Sequence, residues 1–264
     1  MINNILVFGD DLGIPQSLKY IPSKLIRGIV VAEIRPRPHK TLQNLAERMC
    51  ISCLVQPQFN SKSYQDFVEK IRHFNPDLIF VHSYSMLLRP DILTIPKYGA
   101  VNIHYALLPK YRGANPVQWA MINGELETGV TMHYMDEGID SGDIIAQRHV
   151  PIYINDTWVD ALARINAETD KMLEDEIPRL LAETNARQPQ DESHAEKYPR
   201  RYPDDGLVDW QQSPYKIYNL VRALVKPLPG AFCYDDYGQR IVLDEYLTLQ
   251  EVANMKLSFC RKVR

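Results

Sequence analysis

The stretch Asp77-Leu78-Ile79-Phe80-Val81 decides the fold class, because four large apolar residues follow its aspartate without interruption. A strand with apolar side chains on both faces belongs in the middle of a parallel sheet that helices cover on both sides. Similar short runs rich in β-branched residues occur on either side of it in the chain. They are Ile5–Phe8, Ile29–Ala32, Cys53–Val55 and Ala100–Ile103, and the central run itself extends over Leu78–His82.

Segments with helical periodicity separate these strands. They are Ile14–Tyr20, Lys40–Met49 and Ser63–Phe74. Strands that alternate with helices of this length form βαβ units, so the sequence predicts an α/β fold with an open, doubly wound, mostly parallel sheet. Two alternating segments, Thr128–Met135 and Asp143–Val150, suit an antiparallel pair at an edge of this sheet. A long helix from Trp158 to about Glu183 carries apolar residues at helical spacing and is expected to pack on the core.

Residues 185–194 are polar and without periodicity, so we place a linker there and divide the chain into domains of residues 1–190 and 191–264. The second domain is predicted to be a smaller α+β region. Its helix, Pro214–Val225, stops at a proline-rich segment, and the run Asp236-Tyr237-Gly238-Gln239 suits a hairpin.

The composition, 45% hydrophobic and 24% charged, is that of an ordinary globular protein. A net charge of −3 argues against nucleic acid as the main partner, because proteins that bind it carry a basic excess. The chain begins with no signal-like segment, and no apolar run approaches the ~18 residues of a membrane span. We therefore expect a cytoplasmic protein with no membrane partner. Cys50 and Cys53 have metal-like spacing, but no second pair accompanies them, so we predict no metal site.

Asn102 and His104 lie two residues apart at the end of a predicted strand, so their side chains share one face. In open α/β sheets ligands bind at that carboxyl edge. An amide and an imidazole together suit acyl-type transfer, with one donor for a developing oxyanion and one acid or base for an attacking nitrogen. A hydrogen-bonded structural pair is the alternative interpretation.

An acidic, glycine-punctuated loop, Met135–Asp143, follows a later strand. Such a loop can bring a carboxylate to an imidazole and fix its orientation. A solvated surface turn is the alternative, since Asp and Gly are common turn residues.

These residues carry a resemblance to a known family. The chain resembles the formyltransferases that use N10-formyltetrahydrofolate, which have a Rossmann-like fold. The likeness is close over residues 75–152 and rests on four blocks in a fixed order. The blocks are Asn102-x-His104, Leu107-Leu108-Pro109-x-Tyr111-Arg112-Gly113, Glu127-Thr128-Gly129-Val130-Thr131 and Met135-Asp136-Glu137-Gly138-Ile139-Asp140-x-Gly142.

The resemblance implies that Asn102, His104 and Asp140 are the catalytic set and that no metal takes part. It also implies that N10-formyltetrahydrofolate is the formyl donor. The pterin would bind against the backbone of two segments, Met86, Leu87 and Leu88 in the first and Asp136, Glu137 and Gly138 in the second. By periodicity alone, the first segment would be plain core.

The C-terminal third resembles the formyltransferases that act on nucleotide-linked amino sugars, including the part of a bacterial enzyme that formylates UDP-4-amino-arabinose. The blocks that carry this likeness are Arg200–Trp210, Ile217–Leu224, Pro227–Phe232 and the pair Gln118-Trp119. The resemblance implies a nucleotide-sugar substrate, expected to be a dTDP-4-amino-4,6-dideoxyhexose for O-antigen lipopolysaccharide synthesis, and a homodimer formed through the C-terminal strands.

A sugar nucleotide offers a pyrophosphate, a base and an amine, so cationic and aromatic residues are candidates for its site. The candidate substrate-binding residues are Tyr105, Lys110, Arg112, Gly113, Gln118, Trp119, Arg201, Tyr218 and Arg222. Tyr105 replaces the small residue that many family members have beside the catalytic histidine. Tyr218 and Arg222 lie four apart on one helix and could instead support the domain.

Three other functions stay open at this stage. Formylation of methionyl-tRNA is disfavoured by the acidic charge and the short C-terminal region. A binding protein without turnover is disfavoured because all three catalytic residues are present. A hydrolase that releases formate from the same folate should need no nucleotide-sugar block around Arg201.

Overall fold

The computed structural model describes residues 1–11, 13–37 and 39–262, with side chains to residue 259. Its largest feature is a seven-stranded sheet in the order β3-β2-β1-β4-β5-β7-β8. The strands are β1 (Ile5–Phe8), β2 (Ile26–Ala32), β3 (Ser52–Gln56), β4 (Leu78–His82), β5 (Ala100–His104), β7 (Glu127–Tyr134) and β8 (Ile144–Pro151). The first five strands pair in parallel, and β7 runs antiparallel to β5. The predicted α/β fold with a mostly parallel sheet is confirmed.

The helices connect these strands and complete the C-terminal region. They are α1 (Gly13–Leu18), α2 (His39–Arg48), α3 (Tyr64–Phe74), α4 (Pro90–Leu93), α5 (Pro116–Asn123), α6 (Trp158–Leu181), α7 (Pro214–Arg222) and α8 (Leu249–Lys262). Two small sheets are made by β6 (Arg112–Gly113) with β9 (Lys197–Tyr198), and by β10 (Ala231–Tyr234) with β11 (Arg240–Leu243). Among the described residues, no helix is long and apolar enough to cross a membrane.

The chain forms two compact units that interleave along the sequence. The first consists of residues 1–104, 131–148 and 169–192, and the second of residues 105–130, 149–168 and 193–264. The predicted domain boundary between residues 190 and 191 stays a prediction. It was placed from the sequence pattern, whereas the compact units group residues that lie close in space.

The first unit has a core between the parallel sheet and its covering helices. Leu6, Phe8, Ile79 and Val81 alternate with other apolar residues on β1 and β4, and every residue of these two strands is buried. One side of the core is closed by Phe67, Val68 and Ile71 of α3 and by Leu88 and Ile92. Burial on both faces explains why β1 and β4 carry no polar residue before the last position of β4.

The strand order reverses direction between β1 and β4, where β2 and β3 lie on one side and β5 on the other. In open α/β sheets the loops that leave the carboxyl ends of such strands diverge and leave a crevice. The segments after β1, β4 and β5 all leave this edge of the sheet. Asn102 and His104 lie at the same edge, at the end of β5.

The second unit contains helices and two small sheets. α7 contacts both α5 and α8. The hairpin of β10 and β11 pairs Ala231 with Leu243 and Tyr234 with Arg240, which confirms the hairpin that the turn residues predict. Trp210 stacks on Phe259 of α8 with ring centroids 4.4 Å apart, so it packs inside this unit.

Candidate active site

The predicted catalytic and donor-binding residues all belong to the first unit, and the predicted acceptor-binding residues all belong to the second. Asn102 is half-buried on β5, and His104, two residues later, is 7% exposed. Across the antiparallel pair, Asn102 lies opposite His133 and His104 lies opposite Thr131. Residues two apart on a strand share a face, so an amide and two imidazoles meet on one side of the sheet.

Asp140 brings a carboxylate to both imidazoles. Its Oδ2 lies 3.6 Å from His104 Nδ1, and its Oδ1 lies 3.6 Å from His133 Nε2. Asp140 has a positive φ of 50°, a conformation that non-glycine residues adopt rarely and mostly at special sites. Asn102, His104 and Asp140, which the sequence brings together only by resemblance, therefore lie in one cluster.

The loop that carries Asp140 is held by side chains on both sides. Gln190 Nε2 donates to the carbonyl oxygens of Asp140 and Gly142, each at 2.8 Å. The carboxylate of Asp136 accepts from the Gly138 N–H at 2.9 Å and from the Ser141 hydroxyl at 2.7 Å. These bonds fix a short exposed turn, so the carboxylate of Asp140 is presented by an ordered backbone.

Gly142 allows this loop to approach β7. A Cβ at this position would lie 2.1 Å from the carbonyl oxygen of Tyr134. Contacts this short with backbone do not occur, and any larger residue would push the loop outward. The position of Asp140 thus depends on a glycine two residues later.

His133 is a site residue that the sequence interpretation did not include. Its Nδ1 lies 2.7 Å from the Tyr134 carbonyl oxygen, and its Nε2 lies 3.1 Å from Asn102 Nδ2. A carbonyl oxygen can only accept, so Nδ1 donates to it, and the Asn102 amide nitrogen donates to Nε2. One sequence signal could have found His133. Alternation along the strand predicted at Thr128–Met135 places His133 and Thr131 on the same face.

The predicted donor-binding segments differ in exposure. Met86 is half-buried, Leu87 is 72% exposed, and Leu88 packs in the core as periodicity alone suggests. Asp136, Glu137 and Gly138 are all exposed. Donor binding at the backbone of these segments stays a prediction.

Several predicted acceptor residues of the second unit are exposed or half-buried. Tyr105 is half-buried and its hydroxyl donates to Asn166 Oδ1 at 3.1 Å. Trp119 packs between Tyr198, at a centroid distance of 5.2 Å, and the guanidinium of Arg201, 4.6 Å from its ring centre. Lys110 is exposed and Gln118 is half-buried.

Arg201 is anchored at its backbone and its outer nitrogen. Its N–H donates to Asn115 Oδ1 at 3.0 Å, and its Nη2 donates to the Asp205 carbonyl at 2.7 Å. Its Nε is buried without a hydrogen-bond partner. Burial lowers the pKa of this guanidinium, while the charge of Asp205 acts in the opposite direction. An orphaned donor on a stacked, partly desolvated guanidinium suits an anionic partner.

The structure places Arg222 and Tyr218 inside the second unit, where they are 2% and 1% exposed. The Arg222 guanidinium donates to Asn219 Oδ1 at 2.8 Å, and to the carbonyls of Tyr153 at 2.9 Å and Asp156 at 3.1 Å. The Tyr218 hydroxyl donates to the Ile154 carbonyl at 2.6 Å. Both side chains use their polar atoms to hold the turn before α6, which favours the supporting role.

Arg112 is also enclosed, with 1% of its surface exposed. Its strand β6 pairs with β9, and its N–H donates to the Glu196 carbonyl at 2.9 Å. Gly113 pairs with Tyr198 in the same ladder. In the described residues, no group of three or more His, Cys, Asp or Glu side chains could hold a metal ion.

Comparison with known proteins identifies the family. A model described as Formyl transferase matches residues 23–177, more than half of the chain. The chain belongs to the formyl transferase family. A second model, described as Formyl transferase, C-terminal domain, matches residues 201–253 of this family member.

One relative of this formyl transferase is the bifunctional polymyxin resistance protein ArnA of Wigglesworthia glossinidia brevipalpis, 41% identical over 175 residues. The match covers 66% of this chain and 26% of that protein. It therefore spans about a quarter of the relative's length.

Two solved structures share the fold of this formyl transferase. A 4-N formyltransferase from Francisella tularensis superposes with a TM-score of 0.75 at 22% identity, over 93% of this chain and 97% of that one. An N-formyltransferase from Helicobacter canadensis, crystallised with folinic acid and dTDP-3-aminofucose, gives a TM-score of 0.67 at 20% identity, over 84% and 80% of the two chains.

Proposed function

We propose that this protein is an N-formyltransferase that moves the formyl group of N10-formyltetrahydrofolate to the amine of a nucleotide-linked amino sugar. The observation that carries the proposal is the cluster of Asn102, His104 and Asp140 in a chain of the formyl transferase family. The relative and the two structures described above support the acceptor class, since their names specify polymyxin resistance, 4-N formylation and a dTDP-aminosugar.

The residues of the cluster fit a formyl donor. When bound, formyl folate supplies a formyl carbon that is open to attack by an amine. Asn102 Nδ2 carries two N–H groups, of which one donates to His133, so the second can donate to the formyl oxygen as negative charge develops there. A protonated His104 can donate to the same oxygen. Neither contribution needs a metal ion.

Proton transfer falls to His104 and Asp140. The acceptor amine must lose a proton as it forms the new C–N bond, and the departing folate nitrogen N10 must gain one as its bond to the formyl carbon breaks. The carboxylate and imidazole of this pair are the adjacent groups in the cluster that can pass this proton. Asp140 Oδ2 lies 3.6 Å from His104 Nδ1, so the carboxylate orients the imidazole.

The second unit supplies the proposed acceptor site. Arg201 and Lys110 are the proposed pyrophosphate partners, and Trp119 with Tyr105 are the proposed packing surfaces. Arg201 has the strongest support, because its Nε is buried without a partner and its guanidinium is already oriented by Trp119. Arg112, Tyr218 and Arg222 are enclosed in the protein, so we assign them supporting roles around this site.

The finer aspects of the function belong to the same proposal. We propose a dTDP-4-amino-4,6-dideoxyhexose as the acceptor and surface-polysaccharide synthesis, such as O-antigen lipopolysaccharide, as the purpose. A homodimer through the C-terminal strands and a cytoplasmic location complete the proposal. The exposed apolar residues Ile241 and Val242 on β11 support the dimer.

The experiment that tests the function offers N10-formyltetrahydrofolate together with a panel of amino-sugar nucleotides and with methionyl-tRNA. The folate product is followed by its absorbance. We expect turnover with at least one amino-sugar nucleotide and a loss of ~100-fold or more in Asn102→Ala, since a single oxyanion donor contributes about 3 kcal/mol. Formylation of the tRNA alone, formate release without an acceptor, or undiminished activity in His104→Ala would each contradict the proposal.

A further inference from the structure

The segment that follows β4, residues 83–88, is held by two buried polar side chains that lie outside the catalytic cluster. These are Asp10, two residues after β1, and Gln56, the last residue of β3. Asp10 is 3% exposed and Gln56 is 1% exposed. Polar groups this deeply buried cost stability unless their hydrogen bonds are made, so their partners show what they do.

Asp10, which follows β1, links the end of β2 and the segment after β4 through its carboxylate. Oδ1 accepts from the Ala32 N–H at 2.7 Å, and Oδ2 accepts from the Ser85 N–H at 2.7 Å. The Asp10 backbone N–H also donates to the Ser83 carbonyl at 3.1 Å. The charge of this buried carboxylate is thus directed at two backbone donors, one at the end of β2 and one in the segment after β4.

Gln56 holds the same segment from the other side. Its Nε2 donates to the Leu87 carbonyl at 3.3 Å, and its Oε1 accepts from the Tyr84 hydroxyl at 2.8 Å. Tyr84 is fixed in turn by an edge-to-face contact with Phe8, with centroids 5.4 Å apart. Asp10 and Gln56 therefore fix the backbone at Ser83, Ser85 and Leu87, on alternate residues.

The segment leaves the sheet where the strand order reverses, the usual ligand crevice of this architecture, and Leu87 near its far end is 72% exposed. Ser83 adopts a positive φ of 55°, so the chain turns sharply as it leaves β4. A backbone held at this edge is preorganised to donate and accept hydrogen bonds with a flat, polar ring.

We propose that Asp10 and Gln56 are positioning residues for the formyl donor, and that they act by fixing the backbone of residues 83–88 against which its pterin binds. This inference rests on the proposed function. Neither side chain touches reacting atoms. Their loss should weaken donor binding while leaving the acceptor site and the catalytic cluster intact.

The test compares full-length Asp10→Asn and Gln56→Met with Asp77→Asn. Asp77 is a matched control, because its carboxylate also accepts from two backbone N–H groups, those of Asn3 at 2.7 Å and Asn4 at 3.0 Å, before β4 begins. Folinic acid binding is measured by calorimetry, and the KM values for donor and acceptor are measured separately. Gln56→Met preserves the side-chain volume and serves as the second variant if Asp10→Asn does not fold.

We expect folinic acid binding and the donor KM to weaken about tenfold in both variants, which corresponds to about 1.4 kcal/mol. The acceptor KM and kcat should stay within about twofold, and Asp77→Asn should bind folinic acid like the wild type. Folded variants that bind folinic acid normally would overturn the inference alone. A wild-type protein that does not bind folinic acid would overturn the proposed donor as well.

Discussion

At the scale of single residues, His133 determines which way the amide of Asn102 faces. Its Nδ1 donates to the Tyr134 carbonyl, and its Nε2 lies 3.1 Å from the amide nitrogen of Asn102, which donates to it. The same argument fixes the amide oxygen of Asn102 on the other side. A residue next to the cluster thus controls the orientation of a predicted oxyanion donor.

His133→Phe tests this control. The substitution keeps an aromatic ring on β7 but removes the acceptor, so Asn102 can rotate and its second N–H is no longer directed. We expect kcat to fall about tenfold, the effect of one hydrogen bond of about 1.4 kcal/mol, with smaller changes in KM. His73→Phe, at an exposed position of α3, is the control. Equal kcat values in the two variants would argue that Asn102 is oriented without His133.

Arg222→Met distinguishes support from substrate binding. The guanidinium donates to the carbonyls of Tyr153 and Asp156. The buried Asp156 carbonyl would lose this donor, whereas the Tyr153 carbonyl would keep its bond from the Asp156 N–H. We expect a loss of about 3 kcal/mol in the free energy of unfolding, measured with urea, and an unchanged acceptor KM where the protein is folded. The exposed Arg240 has its guanidinium 3.7 Å from the ring centre of Phe232, and Arg240→Met should cost under about 1 kcal/mol. A raised acceptor KM at full stability would restore Arg222 as a substrate contact.

At the scale of elements, β4 ends in a buried histidine. His82 is fully enclosed, and its Nδ1 lies 2.7 Å from the Ser17 hydroxyl of α1. Burial lowers the pKa of His82 to about 4, although the Gly13 backbone and the charge of Asp170 act in the opposite direction. The native structure therefore requires the neutral imidazole.

This pKa predicts a pH dependence of stability. Its ordinary value is 6.5, so between pH 6.5 and about 4 the unfolded chain binds a proton at His82 that the folded chain does not. The contribution of His82 to the free energy of unfolding is thus fully present above pH 6.5. It falls by ~3 kcal/mol as the pH drops to about 4. Urea unfolding across this range should show a shallower fall in His82→Gln than in the wild type. Parallel curves would show that His82 does not contribute.

The elements were predictable from sequence where their burial is periodic. The predictions at Ile5–Phe8 and Leu78–His82 match β1 and β4 to the residue, because both strands are buried on both faces. α5 and α8 have no counterpart among the predicted helices. In α5 apolar residues occur nearly all round, so its sequence shows no 3.6-residue period.

Strand periodicity made part of the site predictable as well. Strand alternation places Asn102 and His104 on one face, but no local pattern joins them to Asp140, which only the family resemblance and then the fold bring close. No sequence signal at Arg222 shows whether its side chain is buried and bonded to backbone or exposed on the surface. Its role is determined by the carbonyls of a turn some seventy residues earlier in the chain.

At the scale of the whole molecule, the hairpin of β10 and β11 is the proposed contact between two copies. β10 is largely buried, whereas Ile241 and Val242 of β11 are 38% and 43% exposed. An exposed apolar strand at the end of a two-stranded sheet presents backbone groups to which another copy can pair.

Val242→Lys tests the dimer. A charge on this strand disfavours edge pairing, so sedimentation should change from the mass of two chains to that of one. Tyr237→Lys, at the 95% exposed tip of the same hairpin, should leave the mass unchanged. A wild-type protein that sediments as a monomer at micromolar concentration would contradict the proposed dimer.

Gly142 has a consequence for how this protein can change over generations. The obstacle at this position is space, since a Cβ would lie 2.1 Å from the Tyr134 carbonyl oxygen, so no other residue is a tolerable intermediate. At Gly238 the obstacle is only a φ of 78°, and a Cβ there meets nothing within 4 Å, so asparagine is an accessible replacement. Inherited variation should therefore accumulate at the hairpin tip and be absent at Gly142, in the loop that presents Asp140.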